Sequence, residues 1–343
     1  MRLRSLTSCR PAIRRLLELI AGLLWAVAPA ANAQSVLWPS FGPDRALLRL
    51  QGLTDILPDF VGPIDGSAEL TIFTEGNHYP VLLPLVLDAF PAWCARTGTC
   101  HADPARILVV TLPQPMVVEM LLKGGIRLGN AIVPVGRDQR VFPDLVMAGA
   151  APLGRLAAAG LLADRAVVFA RHRGLGLLLR REFAGVHDLR SFGETAPKIV
   201  LASASEAGAR QQYKMTLNAM LGEREADRVL AHEIESFAGR LGIQHRDVPY
   251  ALLNGLADGG IIFDHLAAYY ARQYPDRLRH VDVPAAERFG QPIAIAETTP
   301  RKGVLTASFE RFFLEAARTA YPSGGFSPID TFPYGATLAL GGK

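Results

Sequence analysis

The sequence lacks the short motifs that mark the common nucleotide-binding and hydrolytic enzymes. It contains no Gly-x-Ser-x-Gly nucleophile elbow, no P-loop and no Gly-x-Gly-x-x-Gly dinucleotide fingerprint. The segment "AHEIE" at 231–235 has one histidine where a zinc-protease helix needs two. No motif places a nucleophile beside a base. These absences favour a protein that is not an enzyme.

Beyond the first 33 residues the sequence also lacks a long apolar run. The apolar segment that most resembles a membrane element lies within those 33 residues. Five arginines surround the start of "LLELIAGLLWAVAPAA", and "ANA" places small residues before Gln34. We predict a signal peptide that is cleaved after Ala33, and hence a periplasmic protein. A membrane anchor is the alternative, but the apolar run is short for a bilayer span.

The chain carries almost no net charge once this leader is removed. The chain has 36 Lys and Arg against 32 Asp and Glu, and the leader carries five arginines and one glutamate. The remainder therefore has 31 basic and 31 acidic residues, which gives no reason to expect a nucleic-acid partner.

Cysteine is scarce. Of the three cysteines Cys9 lies in the leader, which leaves Cys94 and Cys100 in "CARTGTC". In an exported protein such an even, closely spaced pair predicts a disulfide that closes a small loop. The spacing is not that of a Cys-x-x-Cys redox motif, and two cysteines alone make a weak zinc site.

Strand and helix patterns alternate from residue 68 onward. Strands are predicted at 68–74, 106–111, 143–150, 198–203, 244–248 and 259–265. Helices are predicted near 80–96, 115–125, 151–162, 206–221, 223–241, 250–259 and 308–321. The alternation predicts α/β layers with largely parallel sheets. Two such clusters, joined by the segments 165–181 and 278–298, predict two lobes with two crossings between them.

Ligand sites in such lobes lie at the carboxyl ends of strands, where helices begin. That rule places the loops 74–80, 111–115, 148–152, 203–208 and 263–265 around one cleft. The first of these loops follows "LTIFTEGNHYP" and carries a carboxylate, Glu75, and an imidazole, His78.

Four segments resemble the molybdate-type periplasmic binding proteins of ABC importers. They are "PDLVMAGAAPLGRLAAAGLLADRAVVFARHRGLGLLLRR" (143–181), "KIVLASASEAGARQQYKMTL" (198–217), "GLADGGIIFDHLA" (255–267) and "LTIFTEGNHYPVLLPLVLDAF" (70–90). The resemblance covers roughly residues 67 to 325. It implies an α/β, type II periplasmic-binding-protein fold, in which two α/β lobes hold a ligand cleft between them. It also implies a non-enzymatic protein that delivers a small solute to the membrane subunits of an ABC importer.

The domain organisation follows from the same resemblance. We expect a signal peptide over 1–33, an N-terminal extension over 34–66, a discontinuous first lobe over 67–172 and 285–343, and a second lobe over 173–284. The expected protein is a monomer without a cofactor.

The resemblance also implies which residues contact the ligand. Oxyanions in such sites are held by backbone N–H groups at helix N-termini and by hydroxyls, so the expected ligand is an oxyanion of the molybdate, tungstate or sulfate type. The implied ligand-binding residues are Thr74, Glu75, Gly76, Asn77, Thr111, Gln114, Ala148, Gly149, Ser205, Glu206, Ala207, Phe263 and Asp264.

The chain departs from the family at several of these positions. The family commonly has hydroxyls in the first two loops and a tyrosine at the last position, where this chain has "TEGN", "TLPQP" and Phe263. Pro113 and Pro115 have no N–H to offer an anion, and Glu75 would repel one.

Two alternatives to an oxyanion-binding protein remain open. In the first, the same fold binds a metal ion, an amine or a small organic solute, since carboxylates and imidazoles suit divalent cations. In the second, the protein is a metal-dependent hydrolase that uses Glu75, His78 and Asp264.

Overall fold

The computed structural model describes residues 59–128, 131–196, 198–203, 206–236, 243–299 and 303–341. The predicted signal peptide, most of the predicted extension and Ser205 lie outside these residues. Within the described ranges, no helix is both long enough and apolar enough to cross a membrane.

Thirteen strands are present in the described residues. They are β1 (Asp59–Val61), β2 (Leu70–Glu75), β3 (Ile107–Leu112), β4 (Gly125–Leu128), β5 (Ala131–Pro134), β6 (Leu145–Ala148), β7 (Arg165–Arg171), β8 (Leu175–Arg180), β9 (Ile199–Leu201), β10 (Gly259–Phe263), β11 (Leu278–Val281), β12 (Pro292–Glu297) and β13 (Thr337–Ala339).

The helices alternate with these strands. They are α1 (Tyr79–Pro84), α2 (Phe90–Thr97), α3 (Gln114–Lys123), α4 (Ala150–Ala158), α5 (Leu189–Thr195), α6 (Ala207–Leu221), α7 (Glu223–Leu230), α8 (Asp247–Leu253), α9 (Asp264–Gln273) and α10 (Gly303–Ser323). Short 3₁₀ turns lie at Gly76–His78, Pro104–Arg106, Pro284–Phe289 and Ile329–Thr331.

Two main sheets organise the chain. The larger has the strand order β1-β3-β2-β6-β12-β7-β13, and the smaller has the order β11-β8-β10-β9. We call the part built on the larger sheet the first lobe and the part built on the smaller sheet the second lobe. Strands β4 and β5 form a separate hairpin.

The central strands of the larger sheet are apolar on both faces. All six residues of β2 and all six of β3 are buried, and both strands are rich in β-branched side chains, which favour extended backbone. Helices α3 and α4 pack on one side of this sheet through Val117, Leu121 and Leu153. A strand covered on both faces reads as a continuous apolar run, which is why the sequence located these strands.

The expectation of largely parallel sheets is wrong. In the larger sheet β2 is parallel to β3 and to β6, whereas β12 is antiparallel to both β6 and β7. In the smaller sheet β10 is parallel to β9 but antiparallel to β8. Strands β7, β8, β11 and β12 flank the segments that pass between the lobes, so no helix returns the chain to the same edge of a sheet there. Strands β1 and β13 are antiparallel edge strands of the larger sheet.

The two lobes are connected where β7 leads into β8 and where β11 leads towards β12, as the two long connecting segments predicted. The crossing segments lie side by side, because the backbone N–H of His172 donates to the carbonyl of Gln291 at 3.1 Å. Gly174 lies between β7 and β8 with φ +87°, a conformation that L side chains rarely adopt.

Two local predictions are wrong. Residues 244–248 form a turn and the start of α8, not a strand. The helix predicted over 223–241 ends at Leu230. Within the region predicted as one helix near 80–96, Pro84 ends α1 and a π-helical turn at Leu85–Ala89 follows it directly.

Cys94, near the end of α2, is joined to Cys100 by a disulfide with an S–S distance of 2.09 Å. The bond closes the turn after α2, where Gly98 adopts φ +65°. Strand β1, from the end of the predicted extension, adds an edge strand antiparallel to β3.

Candidate functional site

A small cavity lies between the lobes, at the carboxyl ends of β2 and β3. Its volume is about 10 Å³, which is room for about one water molecule. The lining residues come from both lobes and are Gly76, Asn77, Thr111, Pro113, Glu206, Gln244 and Arg246. Side chains of the two lobes therefore nearly fill the cleft at this point.

Arg246 reaches from the second lobe to the first. Its Nη2 donates to the carbonyl of Gly76 and to Oγ1 of Thr111, each at 2.9 Å. The guanidinium lies over the ring of Tyr79, 4.7 Å from the centroid. A Cβ atom at position 76 would come within 2.9 Å of Nη2, so glycine there permits the close approach. The cavity wall thus contains a cation that donates to two acceptors of the first lobe.

The turn before α8 positions Arg246. The backbone N–H of Gln244 donates to Oδ2 of Asp247 at 2.8 Å, and the N–H of Asp247 donates to the carbonyl of Gln244 at 3.0 Å. Such a closed turn commonly starts a helix, and Pro249 in the first turn of α8 fits that start. The turn brings Gln244 and Arg246 to the same cavity.

Glu75 ends β2 and is fully buried. Its Oε2 accepts hydrogen bonds from Nδ2 of Asn77 at 2.9 Å and from Nε2 of Gln114 at 3.4 Å. Its Oε1 lies 3.3 Å from Nε2 of His172. The carboxylate therefore points into the protein and is not among the groups that line the cavity.

Burial raises the pKa of the Glu75 carboxyl, but the nearby His172 and His78 rings and the hydrogen bond from Asn77 together outweigh burial. The pKa falls to about 2. Glu75 is thus a carboxylate at neutral pH, with its charge directed at the two imidazoles.

Gln114 connects Glu75 to the next cleft loop. While its amide nitrogen donates to Glu75, its Oε1 accepts from the backbone N–H of Gly149 at 3.3 Å. Gly149 precedes α4, so a helix N-terminus that could bind an anion is instead occupied by the chain's own amide.

Phe263, at the end of β10, stacks with two imidazole rings. The centroid of His172 lies 4.4 Å away with an interplanar angle of 9°, and that of His245 lies 4.7 Å away with an angle of 15°. His245 Nδ1 contacts Oε2 of Glu206, and its backbone N–H donates to Oε1 of Glu206 at 3.2 Å. Phe263 therefore separates and orients the side chains that surround the cleft.

Two further histidines join the first cleft loop to its surroundings. His265 Nε2 donates to the carbonyl of Asn77 at 2.7 Å, and His78 Nδ1 lies 2.5 Å from the hydroxyl of Tyr321. His78 Nε2 also contacts Oγ1 of Thr74. Burial lowers the pKa of His78 to about 4 and that of His265 well below its usual value, so both rings are neutral at pH 7.

Asp264 belongs to a separate cluster beside the crossing segments. Its Oδ1 is 2.6 Å from Nε2 of His280, and Asp282 lies close enough for the three side chains to hold a metal ion. Arg173 already contacts Asp264 and Asp282, each at 3.5 Å. An arginine thus compensates the two carboxylates, away from the cavity.

The residues implied by the resemblance lie in different places. Gly76, Asn77, Thr111 and Glu206 line the cavity. Thr74, Glu75, Gln114, Ala148, Gly149 and Phe263 are not among the lining residues. Asp264 belongs to the separate cluster with His280, and Ala207 is exposed at the start of α6. Ser205 lies outside the described residues.

Sequence reasoning missed Gln244, Arg246, His172 and His245. The first two lie in "QHRDV", which was assigned to a strand. Pro249 was the available signal, because a proline two residues after Asp247 is typical of a helix start. His172 lies in the "ARHRG" stretch, and nothing in the sequence pairs it with Glu75.

No protein-family model matches the sequence, and no curated protein matches it. Solved structures do match in fold. The sulfate-binding protein SubI from Mycobacterium tuberculosis gives a TM-score of 0.52 at 14% identity, over 78% of this chain and 92% of its own. A substrate-binding domain ascribed to a molybdenum ABC transporter from Clostridium difficile gives 0.50 at 12% identity, over 76% and 99%.

PEB3 of Campylobacter jejuni with bound L-phospholactate also gives a TM-score of 0.50, at 12% identity over 75% of this chain and 98% of its own. Identities this low show a common fold. The chain therefore has the type II periplasmic-binding-protein fold, with two α/β lobes and a cleft between them.

Proposed function

We propose that this protein is an exported solute-binding protein of an ABC importer, which captures a small anion between its lobes and delivers it to the transporter's membrane subunits. Two proteins that share its fold are a sulfate-binding protein and a substrate-binding domain ascribed to a molybdenum transporter. The proposed protein is periplasmic, acts as a monomer and performs no catalysis. We further propose that the first lobe spans 67–172 and 285–343 and that the second spans 173–284.

The observation that carries the proposal is the position of Arg246 in the cavity wall. The wall also offers the hydroxyl of Thr111 and the amide groups of Asn77 and Gln244, all of which can donate to an oxyanion. Glu75, the residue that argued for a cation or an amine, directs its carboxylate at His172 instead. This arrangement supports an anion over a metal ion or an amine.

The anion would be captured by replacing hydrogen-bond acceptors of Arg246. The Nη2 of Arg246 now donates to Gly76 and Thr111, and an incoming oxyanion would take over these hydrogen bonds. Because the cavity holds about one water molecule, the ligand must enter while the lobes are apart. Closure then buries the anion against donors from both lobes, and the transporter recognises the closed form.

Thermal unfolding in the presence of anions tests the proposal. Sulfate, molybdate, tungstate and phosphate are added at millimolar concentration, with chloride at matched ionic strength as the control. A ligand present at 100 times its Kd stabilises the native state by about 2.7 kcal/mol, which raises the midpoint by several degrees. If none of the anions raises it, or if a divalent cation or an amine does so instead, the proposal fails.

A further inference from the structure

A carboxylate shares the cavity with Arg246. Glu206 precedes α6, is 8% exposed and lines the same cavity. Its Oε1 accepts from the backbone N–H of His245 at 3.2 Å, and its Oε2 contacts the Nδ1 of that residue. An ionised carboxylate has about four lone-pair sites. Glu206 can therefore accept a further hydrogen bond from the cavity.

His245 and Tyr213 lie behind the Glu206 carboxylate. Nδ1 of His245 contacts Oε2 of Glu206, and Nε2 of the same ring lies 2.5 Å from the hydroxyl of Tyr213. Burial and the nearby Glu206 and Glu75 carboxylates raise the pKa of Tyr213 well above its usual value. These contacts fix the position of the Glu206 carboxylate beside the cavity.

Among the described residues that line it, the cavity presents the guanidinium of Arg246 and the carboxylate of Glu206 to its ligand. A fully deprotonated oxyanion could accept from Arg246 and Thr111, but its remaining oxygens would face the Glu206 carboxylate, and two acceptors repel each other. An oxyanion that carries a proton could accept a hydrogen bond from Arg246 and donate its O–H to Glu206, so that both side chains have a hydrogen-bond partner in the ligand.

We infer that the cognate ligand is a small oxyanion that keeps an O–H group at neutral pH, and that Glu206 accepts this proton donor and thereby excludes fully deprotonated oxyanions such as sulfate and molybdate. The inference rests on the proposed function and specifies its ligand class. Inorganic phosphate and arsenate are the matching probes, because both carry a proton near pH 7 and have nearly the size and shape of sulfate.

The first test uses the unmodified protein. Isothermal titration at pH 7 compares phosphate and arsenate with sulfate and molybdate. An unpaired buried acceptor costs about 1–3 kcal/mol, so phosphate should bind at least about fivefold more tightly than sulfate. Equal affinity, or preference for sulfate or molybdate, overturns the inference and leaves the proposed function standing. Binding of none of the four anions counts against the proposed function itself.

The second test changes the acceptor. Glu206→Gln keeps the shape of the side chain but adds an amide donor, so sulfate should gain affinity relative to phosphate and the ratio of the two should fall by at least about fivefold. Glu223→Gln, at an exposed position at the start of α7, is the matched control and should leave the ratio unchanged. If Glu206→Gln folds and keeps the original ratio of phosphate to sulfate affinity, the proposed role of Glu206 is wrong. If this variant does not fold, the comparison of anions in the unmodified protein still decides the ligand class.

Discussion

The Nε2 atom of His172 lies 3.3 Å from Oε1 of Glu75, and both side chains are almost completely buried. Glu75 ends the strand that leads into the first cleft loop, whereas His172 follows β7, where the chain leaves the first lobe. This pair therefore connects the candidate site to the crossing segment. It also gives Glu75 a structural role in place of direct ligand contact.

Replacing Glu75 should test that role. Glu75→Gln replaces the buried carboxylate that accepts hydrogen bonds from Asn77 and Gln114, and a hydrogen bond to a charged group contributes about 1.5–3 kcal/mol. Urea denaturation should show a loss of this size. Glu69→Gln is the control, because Glu69 forms an exposed pair with Arg106 and such pairs contribute about 0–1 kcal/mol. Equal losses in the two variants would argue against a structural role for the buried carboxylate.

Acid should destabilise the protein over a pH range that is set by the pKa values of its buried histidines. His78 has its pKa lowered from 6.5 to about 4 by burial, so between these values the unfolded chain binds a proton that the folded chain does not. Stability is then complete above about pH 6.5 and falls as the pH drops towards 4, by on the order of 3 kcal/mol for this residue. His265, shifted in the same direction, adds to the loss.

Urea denaturation at several pH values between 8 and 4 measures this effect. His78→Gln should flatten the dependence, whereas His101→Gln, at an exposed position, should not. Glu75 acts at lower pH, because its contribution is lost only as the pH falls from about 4.5 towards 2. A profile of the unmodified protein that stays flat between pH 6.5 and 4 would contradict the assignment of His78 as a buried neutral ring.

The strands that could be predicted are those covered on both faces. β6 is a continuous apolar run, β3 is interrupted only by Thr111, and in β2 the apolar residues are interleaved with threonines. The segments that join the two sheets are long enough to be recognised. The sheet directions could not be predicted in this way, since antiparallel pairing of β12 with β6 and β7 depends on strands that meet only after the chain has built the second lobe.

The candidate site was predicted at the level of loops rather than side chains. The rule that ligands bind at strand ends named Gly76, Asn77, Thr111 and Glu206, and these four residues line one cavity; that they bind a ligand stays a prediction. The direction of the Glu75 carboxylate could not be predicted, because it is set by His172, which is distant in sequence. Arg246 was missed because a short polar segment next to an apolar one fits a strand and a turn equally well.

Arg246 should dominate anion binding. Arg246→Ala removes the guanidinium from the cavity wall, and we expect anion affinity to fall at least about tenfold, since a charge-assisted hydrogen bond contributes about 1.5–3 kcal/mol. Titration with the anion that stabilises the unmodified protein most strongly measures this loss. Arg224→Ala, at an exposed position on α7, is the control. Unchanged affinity in the Arg246 variant would remove the main support for an anion ligand.

The disulfide should contribute to stability under oxidising conditions. Cys94 and Cys100 are six residues apart, and closing a loop of this size stabilises the folded state by about 2 kcal/mol through the entropy of the unfolded chain. The double variant Cys94→Ala, Cys100→Ala should lose about that amount in urea denaturation. A reductant should destabilise the unmodified protein and leave the double variant unaffected. Equal sensitivity of both proteins to the reductant would argue against the bond.

Gly174 allows the chain to turn from the first lobe into the second. It adopts φ +87°, and a Cβ atom there would lie 2.2 Å from the carbonyl oxygen of Ala286, in the other crossing segment. Gly174→Ala must therefore strain the backbone and push the two crossing segments apart, which should cost at least about 2 kcal/mol. Gly185→Ala is a matched control, because no atom lies within 4 Å of the added methyl group. It should change stability by no more than about 1 kcal/mol.

Because the crossing segments also set how the lobes meet, the Gly174 variant should in addition bind anions less tightly than the control. If the two variants unfold at the same urea concentration, the contact between the crossing segments does not constrain the protein as the structure indicates.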